Sequence, residues 1–200
     1  ALHGDVVHAA GLLGRDYTLV ATNPPFLSAS RQSESLRQYA RDLDTTARGN
    51  LAYTMWRRWD GSSRTFVLPQ NWRFQVSYAA LRKETLSENE RFLIGALGVK
   101  GFTTSLWDFH VDLVISSSDQ ARSLIAVDAS VGTAPAEVSE LLMAAPLVEV
   151  SADSQIENPD HRITLTRIAP GSLLEGFADA MAGIQTGDYP RYGRFFWERP

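Results

Sequence analysis

The chain has 200 residues, 44% of them hydrophobic and 21% charged, which suits one buried core of ordinary globular composition. A net charge of −4 gives no overall basic signature, so a nucleic-acid partner needs a local patch. The absence of cysteine excludes disulfides, thiolate-bound zinc and cysteine nucleophiles and fits a reducing cytoplasm, and no apolar run is long enough to span a bilayer.

Residues 1–10 read as a short strand or turn around Gly4-Asp5, and 16–21 as a buried strand. That strand stops at Asn23-Pro24-Pro25-Phe26, because two prolines fix φ and remove two N–H donors. A short helix is expected over Glu34–Leu43, then a second over 49–60, where Leu51, Met55, Trp56 and Trp59 have helical spacing. Arg64–Leu68 reads as a strand closed by Pro69, followed by a helix over 74–86. Three further strands are predicted over 91–98, 109–117 and 122–129, a helix over 135–147 opened by Pro135, a strand over 161–168 and a helix over 173–183. Alternating strands and helices give an α/β class with a largely parallel sheet. In such sheets ligands sit beyond the carboxyl ends of the strands, where Asn23-Pro24-Pro25-Phe26 falls.

The Asn23 side-chain oxygen and the Pro24 carbonyl are two acceptors that could hold both hydrogens of one planar amino group. Phe26 offers a flat face to the ring carrying that group. Holding both N–H groups frees the nitrogen lone pair to attack an electrophile, with no covalent enzyme intermediate. The same four residues would also serve as a stiff turn, since Asn and Pro favour turns.

Asn23-Pro24-Pro25-Phe26 resembles the catalytic Asn-Pro-Pro-Tyr/Phe motif of S-adenosylmethionine-dependent amino-methyltransferases, a motif also found in RNA-base and protein-glutamine methyltransferases. The flanks resemble the DNA adenine methyltransferases: "LHGD" before "YTLVATNPPF", then "GNLAYTMWRRW", "RTFVLPQNW", "LRKETLSENERFLIGALGVKGF" and "DFHVDLVISS". The stretches "PLVEVSADSQIENPDHRITL" and "LLEGFADAMAGIQTGDYPRYGRFFWE" resemble the PglX-type enzymes of BREX phage defence and type IIG restriction–modification enzymes.

The resemblance implies the carboxyl half of a Rossmann-like methyltransferase sheet with extra elements at the C-terminus. It implies a catalytic portion over 1–118 and an extension over 119–200 leading into target recognition. It implies methyl transfer from S-adenosyl-L-methionine to the exocyclic nitrogen of a flipped adenine in double-stranded DNA, in a bacterial or archaeal cytoplasm. Asn23, Pro24, Pro25 and Phe26 would be catalytic, Phe26 and Phe102 would stack on the base, and Asp5 with Asn23 would touch the cofactor. Trp107 is an alternative to Phe102, and Arg191 and Arg194 would contact DNA. The last strand of the sheet, over 109–117, would be antiparallel.

No metal is implied, since His3, His8, His110 and His161 lack ligand spacing. The Trp56-Arg57-Arg58-Trp59 cluster reads as a helix with core tryptophans and solvated arginines. The family's glycine-rich cofactor loop does not occur before Asn23, so the sequence reads as part of a longer protein, and the chain alone is expected not to methylate DNA. Its partners would then include the rest of its polypeptide or other defence-system subunits. A methyltransferase for RNA or protein glutamine, and a non-catalytic fragment that binds DNA or a partner, are the alternatives.

Overall fold

The computed structural model describes residues 2–59, 63–103, 109–118 and 123–166. Residues 1–168 and 169–200 form separate units, and the second, with the helix expected over 173–183, lies outside the described residues.

The first element corrects the sequence reading. Residues Leu2–Leu13 form a helix, α1, not a strand or turn around Gly4-Asp5. Nothing in the run breaks helical spacing until Gly14, whose N–H closes on the Ala10 carbonyl at 3.0 Å. The Tyr17 hydroxyl then donates to the Leu12 carbonyl at 2.7 Å, capping the helix end. The buried strand expected over 16–21 is reduced to β1, Val20–Thr22, whose residues are all partly or fully exposed. It lies at the edge of the sheet, with β2 as its one neighbour among the described residues.

Helix α2 (Glu34–Leu43) forms where predicted, with the Ser33 hydroxyl accepting from the Leu36 N–H at 3.3 Å. Helix α3 (Leu51–Arg58) is capped by the Asn50 side chain, which accepts from the Ala52 N–H at 3.0 Å. Strand β2 (Ser63–Pro69) follows. The helix expected over 74–86 starts later, as α4 (Ala79–Ser87), with one 3-10 turn, Val76–Tyr78, in its first part and another, Gln70–Arg73, before it. Arg82 of α4 donates to the Trp72 and Gln75 carbonyls at 2.7 and 2.8 Å, which holds the chain in that broken path.

Strands β3 (Arg91–Gly98), β4 (Val111–Ser117) and β5 (Ser123–Asp128) lie where sequence placed them, and α5 (Pro135–Ala144) opens on its predicted proline. Strand β6 (Val148–Val150) and helix α6 (Ala152–Ile156) were not expected. The strand expected from 161 does not form. His161 closes a 3-10 turn in which Asp160 and His161 have φ of 53° and 56°, a left-handed path no strand can follow.

The sheet order is β1-β2-β4-β3-β5-β6. β1 is parallel to β2 and β3 to β5, while β4 runs antiparallel between β2 and β3, and β6 antiparallel to β5. Four of the six strands thus share one direction, as expected, and the insertion of β4 and the addition of β6 make three of the five neighbouring pairs antiparallel. The strand over 109–117 is antiparallel as expected, but it is internal, and the sheet continues past residue 118 into β5 and β6.

Register aligns Phe66, Val114, Ile94 and Ala126 across four strands, all of them buried on one face. Tyr53, Trp56, Trp72 and Leu81 cover that face, with Trp56 edge-on to Trp72 at 5.0 Å. Each such side chain stabilises the fold by roughly 1.5–3 kcal/mol through burial alone. On the opposite face, α5 lies over Gly95, where a Cβ would sit 3.2 Å from Leu142.

Candidate active site

The carboxyl ends of β1, β2, β3 and β5 and the start of β4 all lie at one edge of the sheet. Asn23 leaves β1 there and is exposed, Pro24 is buried, Pro25 is exposed and Phe26 is half-buried. The Leu27 N–H donates to the Pro25 carbonyl at 3.1 Å, so that carbonyl is already used. The Asn23 amide and the Pro24 carbonyl have no hydrogen-bond partner among the described residues. Gln32 steadies the loop from below, donating from Nε2 to the Leu27 carbonyl at 2.9 Å from a buried position.

Phe26 packs against both apolar clusters of the molecule. One is the main core, and the other is built from Leu97, Val111, Ala129 and Val138. Half-buried Phe102 rests on that second cluster, so the structure brings Phe26 and Phe102 onto a common apolar floor. The loop bearing Phe102 is shaped by Gly98, whose φ is +63° and where a Cβ would lie 2.8 Å from the Ser130 carbonyl oxygen.

The ring beside Phe26 is Phe109, with centroids 6.3 Å apart and planes tilted by 59°. Phe109 is 48% exposed. Sequence reading absorbed it into a strand, and its only signal was an aromatic just before an antiparallel strand. Trp107, Arg191 and Arg194 lie outside the described residues. Asp5, expected in a turn after a strand, lies instead in the first turn of α1 and is exposed.

The neighbouring turn after β2 is held on all sides. The buried Tyr53 hydroxyl donates to the Pro69 carbonyl at 2.8 Å, and burial pushes its pKa far above the usual phenol range. The Gln70 N–H donates to the His110 carbonyl at 3.0 Å, joining this turn to the start of β4. Arg73 makes a two-pronged ion pair with fully buried Asp112, at 2.7 and 3.2 Å. Burial raises the Asp112 carboxyl above its ordinary value, and Arg73 acts against that rise. No acid or base is described on Asn23-Pro24-Pro25-Phe26 itself. The arrangement offers fixed acceptors and a ring face, which suits orienting an amino group rather than moving a proton through a titrating side chain.

Neither protein-family models nor curated proteins match the chain. Solved structures do. The DrdV–DNA complex aligns with a TM-score of 0.57 and 10% identity, over 78% of this chain and 19% of that one. The ATP-dependent type ISP restriction–modification enzyme LlaBIII, bound to DNA, aligns at 0.57 and 13% identity, over 82% of this chain and 13% of that one. The methyltransferase subunit of a type I restriction–modification system from Streptococcus thermophilus aligns at 0.51 and 18% identity, over 74% of this chain and 37% of that one. The chain thus spans well under half the length of each of these proteins. At these identities the shared property is the fold alone, a Rossmann-like α/β sheet.

Proposed function

We propose that this chain carries the catalytic edge of an S-adenosylmethionine-dependent DNA adenine-N6 methyltransferase of a restriction–modification or phage-defence system, of the PglX-like kind. The observation that carries the reading is the pair of unused acceptors at the carboxyl end of β1, the Asn23 amide and the Pro24 carbonyl, beside the Phe26 ring. Both amino hydrogens of a flipped adenine would be held there, which would leave the nitrogen lone pair free toward the methyl group that S-adenosylmethionine would supply. Extruding the base costs a few kcal/mol, which ring stacking on Phe26, with Phe102 or Phe109 opposite, offsets in part.

Asn23 fits a cofactor contact. The described residues before Asn23 form α1, the approach to β1 and β1 itself, with no glycine turn between a strand and a helix to cradle a nucleoside and its methionine. The chain by itself is not expected to transfer methyl groups. Residues 1–118 would form the catalytic portion, and 119–200 an extension toward target recognition. Partners would be double-stranded DNA and the rest of the defence assembly, in a bacterial or archaeal cytoplasm. No helix among the described residues is long and apolar enough to cross a membrane.

The test is Asn23→Ala at the gene's own locus, with N6-methyladenine read in genomic DNA by mass spectrometry. Losing one positioned hydrogen bond that strengthens in the transition state costs roughly 3–4 kcal/mol, so methylation at the target sites should fall by two to three orders of magnitude. Methylation at the parental level would remove the assignment.

A further inference from the structure

The loop after Phe26 is sewn to a second loop. Ser28 and Asn50 form an antiparallel bridge, the Ala29 N–H donates to the Gly49 carbonyl at 3.0 Å, and the Leu51 N–H donates to the Leu27 carbonyl at 2.9 Å. Arg31 closes the 3-10 turn Ala29–Arg31 that follows the bridge on one loop, and Arg48 precedes Gly49 on the other. Both arginines are exposed.

The backbone around each is fixed. Ala47 is fully buried and its N–H bonds the Asp44 carboxylate at 3.3 Å. Gly49 lies so close to Tyr78 that a Cβ would sit 2.7 Å from the tyrosine hydroxyl. On the other loop the Arg31 N–H donates to the Ser28 carbonyl at 2.9 Å, and buried Gln32 holds the Leu27 carbonyl.

The side chains, by contrast, are unused. Arg37, Arg41, Arg57, Arg64, Arg73 and Arg162 each face a carboxylate. Among the described residues, Arg31 and Arg48 have no acceptor at all. The nearest acids in sequence do not compensate them, because Glu34 is held by Arg37 and Arg41, and Asp44 by Arg57. Among the described residues, two uncompensated guanidinium groups therefore stand on rigid, joined loops, one of which follows directly from the proposed catalytic turn, on a chain whose net charge is −4. A planar guanidinium matches the oxygens of a phosphodiester two at a time, and a fixed loop spares the entropy of ordering it.

We propose that Arg31 and Arg48 grip backbone phosphates of the DNA duplex beside the base held at Asn23. This rests on the DNA-methyltransferase reading and adds to it the groups that fix the duplex register at the catalytic edge.

The test is binding of a mixed-sequence fluorescent duplex by anisotropy across a salt series. Each phosphate contact contributes about 0.9 to the slope of log affinity against log salt. The Arg31→Ala/Arg48→Ala double variant should lower that slope by about 1.8 and weaken binding at least tenfold at low salt. Lysine at both positions should keep most of the slope. Arg15→Ala is the control, since Arg15 is exposed and lacks an acceptor among the described residues but precedes β1 at the opposite end of the sheet. An unchanged slope in the double variant, or an equal drop in Arg15→Ala, overturns the inference and leaves the enzyme assignment standing. No salt-dependent binding of DNA by the unaltered protein, or tighter binding of an RNA of the same length, overturns both.

Discussion

Replacing Arg82 by Met should unsettle the fold more than any exposed charge change, and the structure sets the size. Arg82 is fully buried and makes no ion pair with a carboxylate among the described residues. It makes five hydrogen bonds to four backbone carbonyls: Trp72 at 2.7 Å, Gln75 at 2.8 Å, His161 at 3.1 Å, and Asp160 from two nitrogens at 3.0 and 2.6 Å. Burial pulls its pKa below the ordinary guanidinium value, with the Asp160 carboxylate acting the other way. Methionine would fill much of the volume but leave those carbonyls without a donor. The Trp72 carbonyl is enclosed, and losing a charged donor there costs about 1.5–3 kcal/mol. The other three carbonyls are reachable by water and lose about 1 kcal/mol each. Relief from burying the cation returns part of this, so the net loss is about 4 kcal/mol, a large share of the roughly 5–15 kcal/mol of a typical domain. Urea titration followed by tryptophan fluorescence reads it. Undocking of the 159–163 segment before the sheet should also broaden the transition, because Asp160 and His161 hold their left-handed conformations under this clamp. Arg162→Ala, which removes only an exposed pair with Asp160, should change stability by under about 1 kcal/mol. A loss below 1 kcal/mol in Arg82→Met would refute the clamp.

Asp44 accepts from the Thr46 hydroxyl and N–H and from Arg57. Burial raises its pKa, but these bonds outweigh it and hold the carboxyl below the ordinary carboxylate range. A depressed acid stabilises the fold above its unfolded pKa and loses that contribution as pH falls through the folded value. Asp44→Asn should therefore be less stable than the parent at neutral pH and should show a flatter stability profile below about pH 4; parallel profiles would contradict this. Phe26→Ala should reduce the fluorescence rise of 2-aminopurine at the target position in the full enzyme, with a loss in base capture of about 1–3 kcal/mol. Phe109→Ala should give a smaller loss of the same sign, and full capture in Phe26→Ala would remove the stacking role.

The site was partly legible because its key signal is covalent and contiguous. A strand that ends in Asn-Pro-Pro-Phe places an amide, a fixed carbonyl and a ring in order whatever surrounds them. Phe109 was not legible, since its position beside Phe26 depends on β4 being inserted between β2 and β3. Arg31 and Arg48 were passed over for the same reason: 17 residues separate them in sequence, and only the bridge between Ser28 and Asn50 joins their loops.

By itself the sequence determined those elements whose cause is local. Apolar runs placed β2, β3, β4 and β5 to within two residues, and the short helix over 34–43 formed where it was expected. Tertiary structure decided what depends on partners far along the chain. β1 shortened because a sheet edge offers one neighbour, and the helix expected over 74–86 broke because Arg82 takes the Trp72 and Gln75 carbonyls. The strand expected from 161 failed because the same guanidinium holds Asp160 and His161 in a left-handed turn. Local propensity is worth tenths of a kcal/mol per residue, and a buried charged donor satisfied by four carbonyls is worth several, so the distant contact prevails.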